Sequence, residues 1–306
     1  MAESKLAVYA AIAANVAIAV TKFIVAGFTG SSAMLSEGIH SAVDTCNGAL
    51  LLVGMRLSAR PATIEHPLGH GKEMYFWSLI VAVMIFGVGG GVSFYEGIVH
   101  LRNPEPMRDP FWNYVVLGAA AVFEGASLLV ALRQFNSSKG SRPFWRALHA
   151  SKDPSTYTVI AEDSAALIGL VIAAFGVWGS HALDMPELDG VASILIGVLL
   201  ALVAVVLMRE SRGLVIGEGI RSETAQRIRE LVRARGSVRE ASMPLSMYIG
   251  SNEVLLVMDV QFDPELPVGR LTEEIDSIEQ SIRALYPQMR RIYIEARATL
   301  PVSLVG

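Results

Sequence analysis

The pattern of apolar and polar residues divides the chain near residue 209. Before that point, long apolar runs alternate with short polar breaks; after it, the periods are those of amphipathic helices and alternating strands. A bilayer crossing takes about 20 apolar residues. Six segments satisfy this, near 6–28, 33–57, 74–98, 112–135, 156–180 and 188–208. The breaks between them read "TGSS", "RPATIEHPLGHGK", "RNPEPMRDP", "NSSKGSRPFWRALHASKDPS" and "HALDMPELD". The second apolar run contains a polar insertion, "SEGIHSAVDTCN" (36–47). At about 100° per residue, Glu37, His40, Asp44 and Asn47 fall within an arc of roughly 80°. They form one stripe on an otherwise apolar helix, and Cys46 points away from it.

The last third carries 13 arginines and 14 acidic residues, with no lysine and no histidine. "SETAQRIRELVRA" (222–234) has a helical period, with Ser222 as its expected N-cap. Two strand-like runs follow, "REASMPLSMYIG" and "NEVLLVMDVQFD", joined by a short turn. A second amphipathic helix, "VGRLTEEIDSIEQSIRALYP", precedes a third strand, "RRIYIEA". The predicted fold is thus a six-helix transmembrane bundle, residues 1–208. A small cytoplasmic α+β domain follows it, residues 209–306, in the order α-β-β-α-β with its helices on one side of the sheet. No internal repeat or low-complexity tract stands out.

Composition agrees with a membrane address. Of 306 residues, 52% are hydrophobic and only 18% charged, and mean hydropathy is +0.46; soluble domains carry about 25% charged residues. The net charge of −4 offers no basic field for nucleic acid. A single cysteine, Cys46, excludes an internal disulfide framework and a thiolate-rich zinc cluster. "MAESKL" lacks a strongly basic region and leads into a span-length run, so no cleavable signal is expected. Basic residues gather after span two (Arg56, Arg60, Lys72) and after span four (Arg133, Lys139, Arg142, Arg146, Lys152). After span three, Arg102 and Arg108 are offset by Glu105 and Asp109, and 180–187 has none. Positive charge marks the inner side. Both termini are therefore expected in the cytoplasm of a bacterial inner-membrane protein, or on the matrix side of an organelle membrane.

Ionisable groups inside a membrane are costly and are functional candidates by default. His40 and Asp44, at i and i+4, set an imidazole beside a carboxylate on one helix face, an arrangement suited to holding a divalent metal. Taken alone, the pair serves equally well as a buried hydrogen-bonded histidine and aspartate. Glu162 and Asp163 lie in a second apolar span, about 100° apart, and Glu124 is a third intramembrane acid in "AAAVFEGASLLV". Lys22 lies near enough to a span end to be expected to snorkel, and Glu96 and His100 are expected at the interface. His66 and His70 in "EHPLGHGKEMYFWSL" form another i, i+4 pair, the candidates for a secondary cytosolic metal site. Pro67 and Gly69 there argue against a regular helix.

Several of these stretches together resemble the cation diffusion facilitator family of divalent-metal/proton antiporters. "SEGIHSAVDTCNGALLL" is similar to its second-span motif, with the metal-binding HxxxD at His40 and Asp44. "HPLGHGKEMYFWSL" resembles the loop leading into its third span, and "LDGVASILIGVLL" its sixth, with Asp189, Ser193 and Gly197 in register. "SKDP" before span five is similar to the mitochondrial zinc-transporter branch found in animals. The resemblance implies a homodimer and a four-ligand site completed by a second HxxxD in span five. Asp163 matches the aspartate of that motif, whereas Val159 stands at its histidine. Glu162 is the substitute this sequence offers, with Asn47 the further candidate. Family tails that bind metal use histidines; this tail would need carboxylates such as Asp259 or Glu295.

The residues and the resemblance converge on a secondary transporter that exports a divalent cation in exchange for protons. Metal and protons compete for the same lone pairs, so coupling follows from the ligands themselves, with Glu124 or Glu37 as further proton carriers. Zinc is the expected cargo, followed by manganese or iron; no catalytic cofactor is expected. A cation channel would line a continuous pore with rings of charge. A membrane-embedded metal-dependent hydrolase would need a nucleophile or metal-bound water, and Ser36 and Ser41 are too generic to supply one.

Overall fold

The structure, a computed structural model, describes residues 2–104, 106–140, 143–144, 147–148 and 152–299, with side chains from Asn15 onward, Ser138 excepted. Glu105, Arg142, Arg146 and Ser151 lie outside the described residues. Two compact units emerge: residues 1–56 with 74–212, and residues 57–73 with 213–306.

The first unit is helical. Its elements are α1 (Ala2–Thr29), α2 (Ser32–Ser58), α3 (Glu73–Met84), a π-helical turn (Ile85–Gly90), α4 (Gly91–Arg102), α5 (Phe111–Ser138), α6 (Pro154–Ala182) and α7 (Glu187–Ile216). Each predicted apolar segment lies within one helical stretch. Four stretches are long and apolar enough to cross a membrane: Glu73–Arg102, Phe111–Ser137, Pro154–Ala182 and Glu187–Ile216. Asn15–Thr29 of α1 is a shorter apolar helix. Of the remaining two helices, α2 is the one diluted by Glu37, His40, Asp44 and Asn47.

Local signals explain where these helices begin and end. Gly30, at φ +74°, closes α1, its N–H bonded to the Ala26 carbonyl, a left-handed position that glycine takes without strain. Asp153 caps α6 by accepting from the Ser155 N–H at 3.2 Å, with Pro154 as the first helical residue. The N-terminus of α2 is capped from a distant helix. Asp189 of α7 accepts from the Ser31 hydroxyl at 2.7 Å, the Ser32 hydroxyl at 3.0 Å and the Ser32 and Ala33 N–H groups. A fully buried carboxylate at a helix N-terminus meets both the orphan N–H groups and the helix dipole. Two residue pairs bring α4 and α7 into near backbone contact. A β-carbon at Gly97 would sit 2.7 Å from the Gly190 carbonyl, and one at Gly197 2.7 Å from the Phe94 nitrogen. Small residues permit such approaches between membrane helices.

The second unit is a four-stranded sheet with two helices, α8 (Ser222–Arg233) and α9 (Val268–Leu285). The strands are β1 (Val238–Ala241), β2 (Leu245–Gly250), β3 (Glu253–Phe262) and β4 (Arg291–Ala296). The central β3 pairs antiparallel with β1 and β2 along one edge and parallel with β4 along the other. Its residues alternate strictly: Val254, Leu256, Met258, Val260 and Phe262 are buried with Ile228 and Val232 of α8 and Ile278 and Ile282 of α9.

Three sequence expectations change here. The run read as one strand, 239–250, is two strands, because Pro244 has no N–H to give the ladder. Ser242 bridges the break, its N–H donating to the Asp259 carbonyl while its hydroxyl accepts from the Asp259 N–H. Ser222 is the first residue of α8 rather than its cap; Arg221 holds the cap position and makes no side-chain capping bond. The loop 57–73 packs with the sheet unit rather than with residues 1–208. The Arg291 guanidinium donates to the Pro67 carbonyl at 3.3 Å, and Gly71 abuts Ile249 and Gly250, leaving no room for a side chain.

Candidate transport site

The polar stripe of α2 is buried against α6, and two contacts mark the seam. Near one end, the Asn47 amide donates to Glu162 Oε1 at 2.8 Å. Near the other, Glu37 Oε1 faces Gly169, where a β-carbon would come within 2.5 Å. Glu162 and Gly169 are seven residues apart and share a face of α6. His40 and Asp44 lie between these contacts. His40 Nε2 is 3.5 Å from Asp44 Oδ2, with side-chain exposures of 3% and 13%.

Four buried atoms along this stripe have no hydrogen-bond partner: Glu37 Oε1, His40 Nε2, Asp44 Oδ1 and Asn47 Oδ1. Leaving a buried polar group unpaired costs about 1–3 kcal/mol. Such groups are rare, and here four share one helix face. Three oxygens and an imidazole nitrogen are the donor types that a divalent transition metal accepts.

The acids of α6 diverge. Glu162 faces α2, whereas Asp163 turns to α5 and accepts from the Ser127 hydroxyl at 2.7 Å. Glu124 lies one turn before Ser127 on the same face of α5. Asp163, Glu124, His40 and Asp44 nevertheless lie within electrostatic range of one another. Among the described residues, no three histidine, cysteine, aspartate or glutamate side chains are gathered closely enough to grip an ion. The structure thus brings His40 and Asp44 together, joins Glu162 to Asn47, and leaves Asp163 to one side. Val159, at the position of the family's histidine, is half-buried.

Lys22 departs from expectation. It does not snorkel: it is 0% exposed, 2.9 Å from Glu37 Oε2 and 2.8 Å from the Ser41 hydroxyl. It stands seven residues inside the end of α1, about 10 Å along the axis, and Glu37 offers a nearer counter-charge than water. Sequence reading expected Lys22 to snorkel, set Ser41 aside as too generic, and missed Ser127 and Gly169. The lysine was detectable as a cation deep in an apolar run; the others are small residues without a pattern. His100 is not at an open interface either, with Nε2 3.9 Å from Asp189 and 11% of its side chain exposed. Cys46 is exposed, away from the stripe.

In the sheet unit, the His66 and His70 rings stand 4.6 Å apart, and His70 Nδ1 is 3.1 Å from the Pro61 carbonyl. Asp259 and Glu295 both pair with Arg297, at 3.3 and 2.9 Å.

Residues 8–214 match the profile of the cation efflux transmembrane domain. The chain belongs to the cation efflux, or cation diffusion facilitator, family. It is an integral membrane protein of a family of transporters, not enzymes. It is similar to the proton-coupled zinc antiporter SLC30A9, mitochondrial, of Mus musculus, 35% identical over 83% of this chain and 45% of that protein. The human protein of that name is 34% identical over the same shares. The chain therefore spans less than half the length of these relatives. Metal tolerance protein C4 of Arabidopsis thaliana is 28% identical over 97% of the chain and 74% of its own length. The cation efflux match takes in α2, α5 and α6 entirely, and with them every polar group of the seam.

Proposed function

We propose that this cation efflux protein is a secondary active transporter that moves a divalent transition-metal cation, zinc first, across the membrane in exchange for protons. The observation that carries the reading is the row of buried atoms without a hydrogen-bond partner, His40 Nε2, Asp44 Oδ1 and Asn47 Oδ1, on the face of α2 that meets Glu162 of α6. A cation entering this seam would be held first by His40 and Asp44. Asp163 and Glu162 complete the set once Asp163 leaves Ser127 and Glu162 leaves Asn47. The metal-free seam takes up protons on those same lone pairs, so the two cargoes exclude each other. Glu124 is a further proton carrier. Midplane ligands on helices that rock are a common plan for such exchange.

Zinc is supported by the name of the SLC30A9 relatives and by the imidazole. With only one nitrogen and several oxygens in the set, manganese and iron are the nearest competitors. All six long helices would span, with both termini and the sheet unit on the side of the cytoplasm or matrix, in a bacterial or organellar inner membrane. A homodimer joined through the open face of the sheet fits its exposed row of Leu245 and Tyr293, which flank Val257 in register.

The test is purified protein in sealed vesicles loaded with a pH-sensitive dye. A zinc gradient should drive proton movement in the opposite direction, and an imposed pH gradient should drive zinc uphill. Zinc flux with no proton movement would instead indicate a channel.

A further inference from the structure

We infer that Lys22 is a positioning residue for transport: its ammonium holds the Glu37 carboxylate away from the cargo, which is left to His40 and Asp44. The inference rests on the transport reading above. Glu37 and Ser41, both bonded to Lys22, are one helical turn apart and bracket His40 in sequence. The carboxylate has a built seat. Lys22 holds one oxygen, and the other lies in the notch left by Gly169 of α6, where a β-carbon would come within 2.5 Å of Glu37 Oε1.

The seat has a chemical purpose. Glu37 is three residues from His40 and its neighbour on the same face. Freed from Lys22, this carboxylate would be one more anionic ligand beside the cargo. Lys22 in turn lies within electrostatic range of His40, Asp44 and Glu124. Without Glu37, its buried charge would repel a divalent cation, since charges interact strongly where little water screens them. The site therefore tolerates the pair or neither member. Either one alone changes how the cargo is held.

The experiment compares zinc uptake by full-length protein in vesicles for the parent, K22M, E37Q, K22M/E37Q and H40A. For K22M the expected result is a fall in apparent KM of about tenfold, the scale of one added carboxylate charge beside the cation, together with a lower maximal rate. That split marks tighter ground-state holding. For E37Q the expected result is a rise in KM of about tenfold or more. The double variant should return KM towards the parental value. If K22M does not fold, E37Q against the double variant still decides, because removing Lys22 must reverse the rise. An equal KM in all variants overturns the inference, as does a uniform loss of rate and stability without a change in KM. Parental transport by H40A would overturn the transport reading instead.

Discussion

The two halves of α2 handle polar groups in opposite ways. In its first turns nearly every polar atom is satisfied: Asp189 gathers the Ser31 and Ser32 hydroxyls and the first N–H groups. Ser36 meets Ser193 at 2.6 Å, and Lys22 holds Glu37 and Ser41. From His40 to Asn47 the same helix leaves three buried atoms unpartnered. Both stretches are polar, buried and surrounded by apolar neighbours, so polarity inside a membrane does not by itself mark a binding site. Within α2, the completed hydrogen bonds accompany the fixed architecture, and the incomplete ones coincide with the proposed cargo site.

This contrast breaks most readily at the open half. H40A or D44A should cut zinc transport by more than the roughly 10–100-fold that outer partners of metal ligands contribute. Either should lower the melting temperature in detergent only modestly, because the two side chains stand 3.5 Å apart and His40 Nε2 and Asp44 Oδ1 make no hydrogen bond. A marked loss of stability in both would mean the pair is structural.

Next in size is the closed half. D189A strips the cap from α2 and leaves several buried donors unfilled, at a cost of about 2–3 kcal/mol. The expected signature is a melting temperature lower by several degrees, with transport falling only in step with folded protein. A normal melting temperature with transport abolished would move Asp189 into the transport machinery.

Smaller changes should follow at the seam. E162Q should weaken every divalent cation by about tenfold, whereas V159H adds an imidazole and should raise zinc over manganese in competition uptake. If E162Q transports like the parent, the Asn47–Glu162 bond belongs with the closed half. The smallest effect is expected outside the membrane. Arg297 pairs with Asp259 and Glu295 in water, at side-chain exposures of 45%, 22% and 57%. R297A should shift stability by less than about 1 kcal/mol and leave transport intact.

The seam was legible in the sequence because a helix repeats every 3.6 residues, so Glu37, His40, Asp44 and Asn47 had to share a face once the segment was helical. The divergence of Glu162 and Asp163 was legible as an angle but not as a choice of neighbours, which depends on how α2, α5 and α6 pack. Lys22 was misread for the same reason. Its partner stands fifteen residues away on another helix, and no local pattern announces it. In the sheet unit the alternation of β3 gave the buried face directly, while Pro244 announced the strand break only to a reader who weighed its missing N–H.

The membership of residues 57–73 in the sheet unit has a mechanical meaning. The chain passes between the two units three times, after Arg56, after Glu73 and after Arg212. A body hung on one strand can swivel freely and passes on only tension, whereas one moored by several lines also transmits torque. The sheet unit is thereby joined by covalent chain to the ends of α2 and α3 as well as to α7. Cutting the chain at 212 to isolate the tail would also remove part of what it folds with.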